Sequence, residues 1–532
     1  MEEEELTIVP SFTIAGSRPA RLRGIALVIG LAVALPASAI GAQPPAGFRT
    51  TEASYITLTA DGKVIPILTV GEDAGVDGFT FEGLPDGIGV MPTGARTIDV
   101  FVNHEQSHVP FGTPLAADIE DSSVSQLSIN TRTGGVLDAS VAIGPEAGLI
   151  RFCSSYLAGP AEGFSSYTLF TNEESDDQLP VPAGAPYGPD PSITPLRQAG
   201  YSVILDPTTG GYTQVAGLGR MNHENAVVVP GGWDEFAILT GDDTFNAPAS
   251  QFYMYTAPSE AAIRADTGHL WGFQVTSTQD GVVDVTDPFN GANDYSDIHA
   301  GDSWSGRFIR VRDDVARGLV GPTPQAALES WSNANNVFQF IRVEDIAYDP
   351  LNPRVVYFAD TGERRALTDA QSSEPATGRL HRGPSAGPFG SFGNGRVFKM
   401  VLNADDPTVV DEFSILLDAD TQALVDQNGA STFMSHPDNV ALSTKSLMVQ
   451  EDTSNARVWR YSFEDAAWSV VATVNDVAGE SSGIIDASRW FGGGWWMLDV
   501  QAHSTNQASS VVNGVTIKRE DGQLLLVKIP GS

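Results

Sequence analysis

Acidic side chains recur at fixed places in this sequence, and their spacing suits metal chemistry. The motifs Pro85-Asp86-Gly87, Cys153-Ser154-Ser155, Asn222-His223-Glu224-Asn225, Arg342-Val343-Glu344-Asp345, His436-Pro437-Asp438-Asn439 and Glu480-Ser481-Ser482-Gly483 each precede a short apolar run. A second run then ends in Asn103-His104-Glu105, Asn172-Glu173-Glu174, Asp242-Asp243, Asp360, Glu451-Asp452, or Asp499 with His503. From lead acid to closing acid the steps are 19 (86 to 105), 18 (224 to 242), 16 (344 to 360), 14 (438 to 452) and 19 (480 to 499) residues. Carboxylates brought together raise one another's pKa unless a positive charge stands among them. Calcium takes about six to eight oxygen ligands from carboxylates, amides and water, which this repeat supplies. His104, His223 and His436 accompany the acids, either as ligands for iron or another transition metal or as groups that hold carboxylates in position.

Such residues meet only if the fold repeats. After residue 43 the chain is rich in Gly and Pro, with short alternating runs and few helical patterns, so the expected class is all-β. Hairpin-sized units, completed by runs such as Gly395 to Met400 and Val458 to Tyr461, predict a six-bladed β-propeller with long inter-strand insertions. Asp86, Glu224, Glu344, Asp438 and Glu480 would then face one another around a central axis. A double-sheet sandwich is the alternative. The expected organisation is an N-terminal extension and signal peptide over 1–42, then a single propeller domain over 43–532, with insertions near 255–335 and 363–393.

Acidic residues outnumber basic ones 66 to 30, for a formal charge of -36, which argues against nucleic acid or anionic membrane as partners. The lone Cys153 excludes an internal disulfide framework and a Cys-rich zinc site. Arg18, Arg21 and Arg23, the apolar run Ile25 to Leu35 and Ala37-Ser38-Ala39 read as a signal segment, cleaved or kept as an anchor, so the chain is expected to be secreted or periplasmic.

Several motifs in order resemble the PhoX-type alkaline phosphatases: Val102-Asn103-His104-Glu105; Thr171-Asn172-Glu173-Glu174, similar to the family's Thr-Cys-Glu-Glu; Gly219 to Glu224; Arg342-Val343-Glu344-Asp345; and Pro437-Asp438-Asn439. The resemblance covers most of the chain after residue 43. It implies hydrolysis of phosphomonoesters at a centre of iron and calcium, with Glu173, Glu174, Glu224, Glu344, Asp345, Asp438 and Asp452 as metal ligands and Arg342 on the substrate phosphate. His104, Glu105, Asn172, His223, His436, Asn439 and Glu480 would support or join that set. Asn172 stands where the family has a cysteine, and its hard oxygen shifts the preference from iron toward calcium. The expected partner is a small phosphorylated substrate and the expected state a monomer. A non-catalytic calcium-binding propeller and a lactonase-like or phytase-like calcium-dependent hydrolase are the alternatives.

Other motifs lack their required context. His104-Glu105-Gln106-Ser107-His108 matches the zinc-protease pattern but leaves a strand and meets Pro110, where no helix can follow. Gly479-Glu480-Ser481-Ser482-Gly483 and Gly383-Pro384-Ser385-Ala386-Gly387 match the nucleophile elbow without its strand and helix.

Overall fold

The computed structural model describes residues 46–107, 121–180, 196–244, 250–288, 290–362, 393–506, 510–512, 515–517 and 519–532. The chain divides into two units, Met1–Pro44 and Pro45–Ser532, and the description concerns the second. The apolar run from Ile25, the motif residue His108, the Gly383 motif and nearly all of the 363–393 insertion lie outside the described residues.

Alternating apolar and polar residues, broken by turn-forming Gly, Pro, Asn and Asp, fold into antiparallel meanders. β1 (Pro85–Gly94) begins a sheet that continues through Thr97–His104, Ser123–Asn130 and Gly135–Ile143. β2 (Phe152–Ala158) edges the sheet of Thr168–Glu173, Ser202–Leu205 and Tyr212–Val215. β3 (His223–Val228) leads Phe236–Asp242, Phe252–Ala257 and His269–Thr278, and β4 (Val343–Asp349) leads Asn352–Asp360, Arg396–Leu402 and Val409–Asp418. β5 (Pro437–Leu442) leads Ser446–Glu451, Arg457–Ser462 and Ala467–Val474. β6 (Glu480–Asp486) leads Trp495–Asn506 and Glu520–Lys528.

These edge strands pack against one another in the order β1, β2, β3, β4, β5, β6, and β6 returns against β1. The arrangement is propeller-like, with the starts of β1 to β6 converging. N-terminal strands complete the C-terminal sheets: Lys63–Thr69 pairs with Glu520–Lys528, and Ile56–Leu58 with Ala467–Val474. The two ends of the described unit are thus tied together by backbone hydrogen bonds.

The stretch 255–335, read from sequence as an insertion, supplies ladder as well as loop. His269–Thr278 is the outer strand of the β3 sheet, and Ser303–Arg310 pairs on one side with it and on the other with Val409–Asp418. Ser303–Arg310 therefore welds the β3 and β4 sheets into one. Aromatic packing beneath the weld explains its stability. Phe252 stacks on Phe358 with ring centroids 4.4 Å apart, Phe358 on Phe398 at 5.2 Å, and Phe398 on Phe413 at 5.3 Å. Turn-rich sequence on either side of these strands hid them. Among the described residues no helix is long and apolar enough to cross a membrane.

Candidate metal centre

The inner strands do not enter the axis as regular ladder. Each pairing shifts register near its start: between Pro85 and Ile88 in β1, Phe152 and Ser154 in β2, Glu224 and Ala226 in β3, Val343 and Ile346 in β4, Pro437 and Val440 in β5, and Ser482 and Ile484 in β6. A bulge inserts an extra residue and re-aims the side chains around it. Leu84, Arg151 and His436 adopt φ of 51°, 50° and 49°, each two residues before Asp86, Cys153 and Asp438. Asn225, directly after Glu224, has φ of 45°. Non-glycine residues in the left-handed region carry strain that only well-packed surroundings hold, and such strain gathers at functional sites.

Close backbone approach brings the bulges together. A Cβ on Gly87 would come within 2.3 Å of the Ser155 nitrogen, and one on Gly483 within 2.6 Å of the Asp86 carbonyl oxygen. Only glycine fits where three inner strands crowd.

The result is a buried group of acids. Asp86, Glu174, Glu224 and Glu344 are buried, as is Asp243. Burial first, and then mutual repulsion, raises Asp86, Glu174, Glu224, Glu344 and Asp438 well above the usual carboxylate range. Glu224 feels Asp243, Asp345 and Glu105; Asp438 feels Asp452, Glu224 and Glu480. Arg342 stands among them, donating from Nε to Asp243 Oδ1 at 2.8 Å and from Nη2 to Oδ2 at 2.5 Å, with Glu344 at 3.3 Å. His503 lies beside Glu480 and Glu520; against burial, its hydrogen bonds to these two carboxylates push it up to about 11.

The donors fit hard cations. Glu224 Oε2 and Asp86 Oδ1 are buried without a hydrogen-bond partner. The amide nitrogens of Asn103, Asn172 and Asn222 donate to Ser154 O, Ser154 Oγ and Asp243 O, which leaves the three amide oxygens buried and unpartnered. Oxygens stranded in this way cost free energy unless something positive engages them. Glu174, Glu224, Glu344, Asp438 and Asp86 would hold such ions.

Other residues singled out in the sequence occupy different places. Glu173 accepts from Ile150 N and Arg197 Nη2 on Oε1, and from Arg197 Nη1 and Tyr201 N on Oε2, so both its oxygens are engaged away from the acid cluster. Asp345 accepts from Asn225 Nδ2, Ile346 N and Val440 N, which clamps β4 to β3 and β5. His104 bonds Gly83 O and Ser125 Oγ, and His223 bonds Thr240 Oγ1 and Gly219 O. Burial lowers both imidazoles to about 4, so they are neutral groups that brace strand ends. His436 Nδ1 meets Ser435 Oγ, and Asn439 lines an axial cavity of about 270 Å3 beneath the acids. Gln501 reaches both Glu105 and Asp86, while Glu480 lies beside Asp452. Asp86, Cys153 and Asp243 were absent from the sequence-derived ligand set. The lead motifs of the repeat contain the first two, and the signal was their alignment with Glu224, Glu344 and Asp438.

Glu173→Gln should lower stability by about 3 kcal/mol, because the buried Arg197 guanidinium loses the carboxylate charge that faces it. Metal content should stay unchanged. Denaturant unfolding with elemental analysis checks both, and a lost ion would return Glu173 to the ligand set.

Fold and centre together define a propeller-like protein that gathers buried acids able to hold cations. The family model described as alkaline phosphatase PhoX matches residues 168–486. The chain belongs to this family of metal-dependent phosphatases. Among solved structures, Pseudomonas fluorescens PhoX in complex with vanadate, a transition state analogue, is similar at 13% identity and a TM-score of 0.59, with 91% of this chain and 97% of that one covered. Kuenenia stuttgartiensis hydrazine synthase is similar at 11% identity and a TM-score of 0.35, covering 80% and 94% of the two chains, a likeness too slight to bear on chemistry. In sequence, no curated protein matches.

Proposed function

We propose that this chain is an exported six-bladed propeller that hydrolyses phosphomonoesters at a carboxylate-bound centre of calcium and a second metal. The blade count follows from treating Ser303–Arg310 as a bridge, which separates the welded sheet into the β3 and β4 blades. The observation that supports the centre is the mutual approach of Glu174, Glu224, Glu344 and Asp438, with Glu224 Oε2 left unpartnered and the Arg342 guanidinium beside Glu344. Bound ions would neutralise this charge, polarise phosphoryl oxygens and activate water.

The chain's own residues position the ester. Asp243 grips one edge of Arg342, which fixes the plane of the guanidinium, and the side chain keeps 14% exposure. A guanidinium held in plane orients a phosphate through paired hydrogen bonds and offsets its charge. Glu344, 3.3 Å from that guanidinium, links the phosphate position to the cation-binding acids. Closure of the ring by the chain's own N-terminal strands favours a monomer. Export rests on the apolar run Ile25 to Leu35 and its preceding arginines.

Purified protein supplied with calcium and iron should turn over p-nitrophenyl phosphate, lose that activity in chelator, and be inhibited by vanadate. Chelator-resistant turnover refutes the assignment. Ions that only raise the melting temperature, with no ester turned over, mark a binding propeller instead. Arg342→Ala should lower kcat/KM about a hundredfold, equal to about 2.7 kcal/mol of transition-state stabilisation. Its metal content should match the parent; an equally active variant removes Arg342 from the phosphate.

A further inference from the structure

We propose that Cys153 supplies a thiolate to an iron-class transition metal held jointly with Glu174 and Glu224, in place of the thiol that position 172 lacks. The inference rests on the metal-centre reading above and adds which residue holds the transition ion.

Cys153 Sγ and one carboxylate oxygen each from Glu174 and Glu224 all lie within 4.8 Å of one another. The three residues are 7%, 8% and 2% exposed. Cys153 contacts Glu224 Oε1, while Glu224 Oε2 is buried with no partner. A structural buried cysteine packs as a small hydrophobe among apolar neighbours. This one faces two buried carboxylates instead, an arrangement that a shared cation would resolve.

The pairing of β2 with Thr168–Glu173 explains how sulfur reaches this point. Phe152 faces Glu173 and Ser154 faces Asn172, so the bulge leaves Cys153 as the extra residue beside that pair. The left-handed Arg151 starts the distortion. Asn172 meanwhile ties its amide nitrogen to Ser154 Oγ at 3.1 Å and leaves its oxygen unpartnered. Thiol and amide therefore stand beside each other across the paired strands. A soft thiolate with hard carboxylates disfavours calcium, which takes oxygen alone, and suits iron. On binding, the thiol gives its proton to solvent and the sulfur lone pair enters the metal bond.

Iron K-edge absorption of the purified holoprotein, which needs no variant, should show a sulfur scatterer in the first shell. A visible thiolate-to-ferric band should accompany it. Cys153→Ser should abolish the band and lower iron content at least tenfold, with calcium content within twofold of the parent and an unchanged circular dichroism spectrum. Exchanging the pair, Cys153→Asn with Asn172→Cys, should restore the band. An iron shell of oxygen and nitrogen alone, a Cys153→Ser protein with parental iron and spectrum, or a parent without iron overturns the proposal. Phosphate-ester turnover measured alongside keeps the readings apart. Sulfur-bound iron without turnover sinks the phosphatase while this ligand stands, and turnover without sulfur ligation does the reverse.

Discussion

Glu224→Gln is expected to lower kcat/KM by about a thousandfold, some 4 kcal/mol of transition-state stabilisation. Glu224 lies at the start of β3, in contact with Cys153 on one oxygen and unpartnered on the other. It also repels Asp243, Asp345 and Glu105, so it joins several parts of the acid cluster. An amide keeps the shape and one oxygen but gives up the charge that would hold an ion. The same substitution should have the opposite sign on the ion-free fold, because it removes one of several like charges buried together. Thermal unfolding in chelator should therefore show the variant melting above the parent, while ion-loaded parent melts above ion-loaded variant. Steady-state kinetics and paired melting curves check this; a variant with parental turnover would place the reacting centre elsewhere.

The second large effect is an inversion of pH dependence on removing ions. In the ion-free protein, burial raises Asp345 to about 6 against the hydrogen bonds it accepts, and burial with repulsion from Asp452 raises Glu480 to about 8. Groups with folded pKa above the unfolded value bind more protons when native, so their contribution is fully present below the ordinary carboxylate range and is lost as pH rises. Chelated protein should lose stability steadily from about pH 4 to pH 8. With ions bound the sign reverses, since protons compete with the cations and affinity grows as the acids ionise. Melting temperature at pH 8 should rise by well over 10 °C when calcium and iron are restored, and by little at pH 4. Parallel curves with and without chelator would contradict this.

Much of this centre is legible in the sequence. Asp86, Glu224, Glu344 and Asp438 each open a hairpin-sized unit, so repetition alone predicts that they meet. Which member of an adjacent acid pair faces the axis is less accessible. Successive residues of a strand point to opposite faces, and a bulge shifts that alternation by one. Glu174 joins the cluster while Glu173 binds Arg197. Asp243 holds Arg342 while Asp242 accepts from Gln325. Asp452 approaches Asp438 while Glu451 is taken by Arg457 and Trp459. Cys153 stands at the lead position of its unit, as Asp86 and Glu224 do, but a thiol there does not continue the run of acids and drew no notice. The weld made by Ser303–Arg310 was hidden because one of its two partners, Val409–Asp418, lies far along the chain from it.

The central claim is that acids from separate sheets enclose cations on the axis, and anomalous diffraction from crystals of the purified holoprotein tests it most directly. Data collected above and below the iron edge should give density between Cys153, Glu174 and Glu224, with calcium-type density against Glu344 and Asp438. Carboxyl groups that instead share protons with one another, with no anomalous density in their midst, would contradict the account.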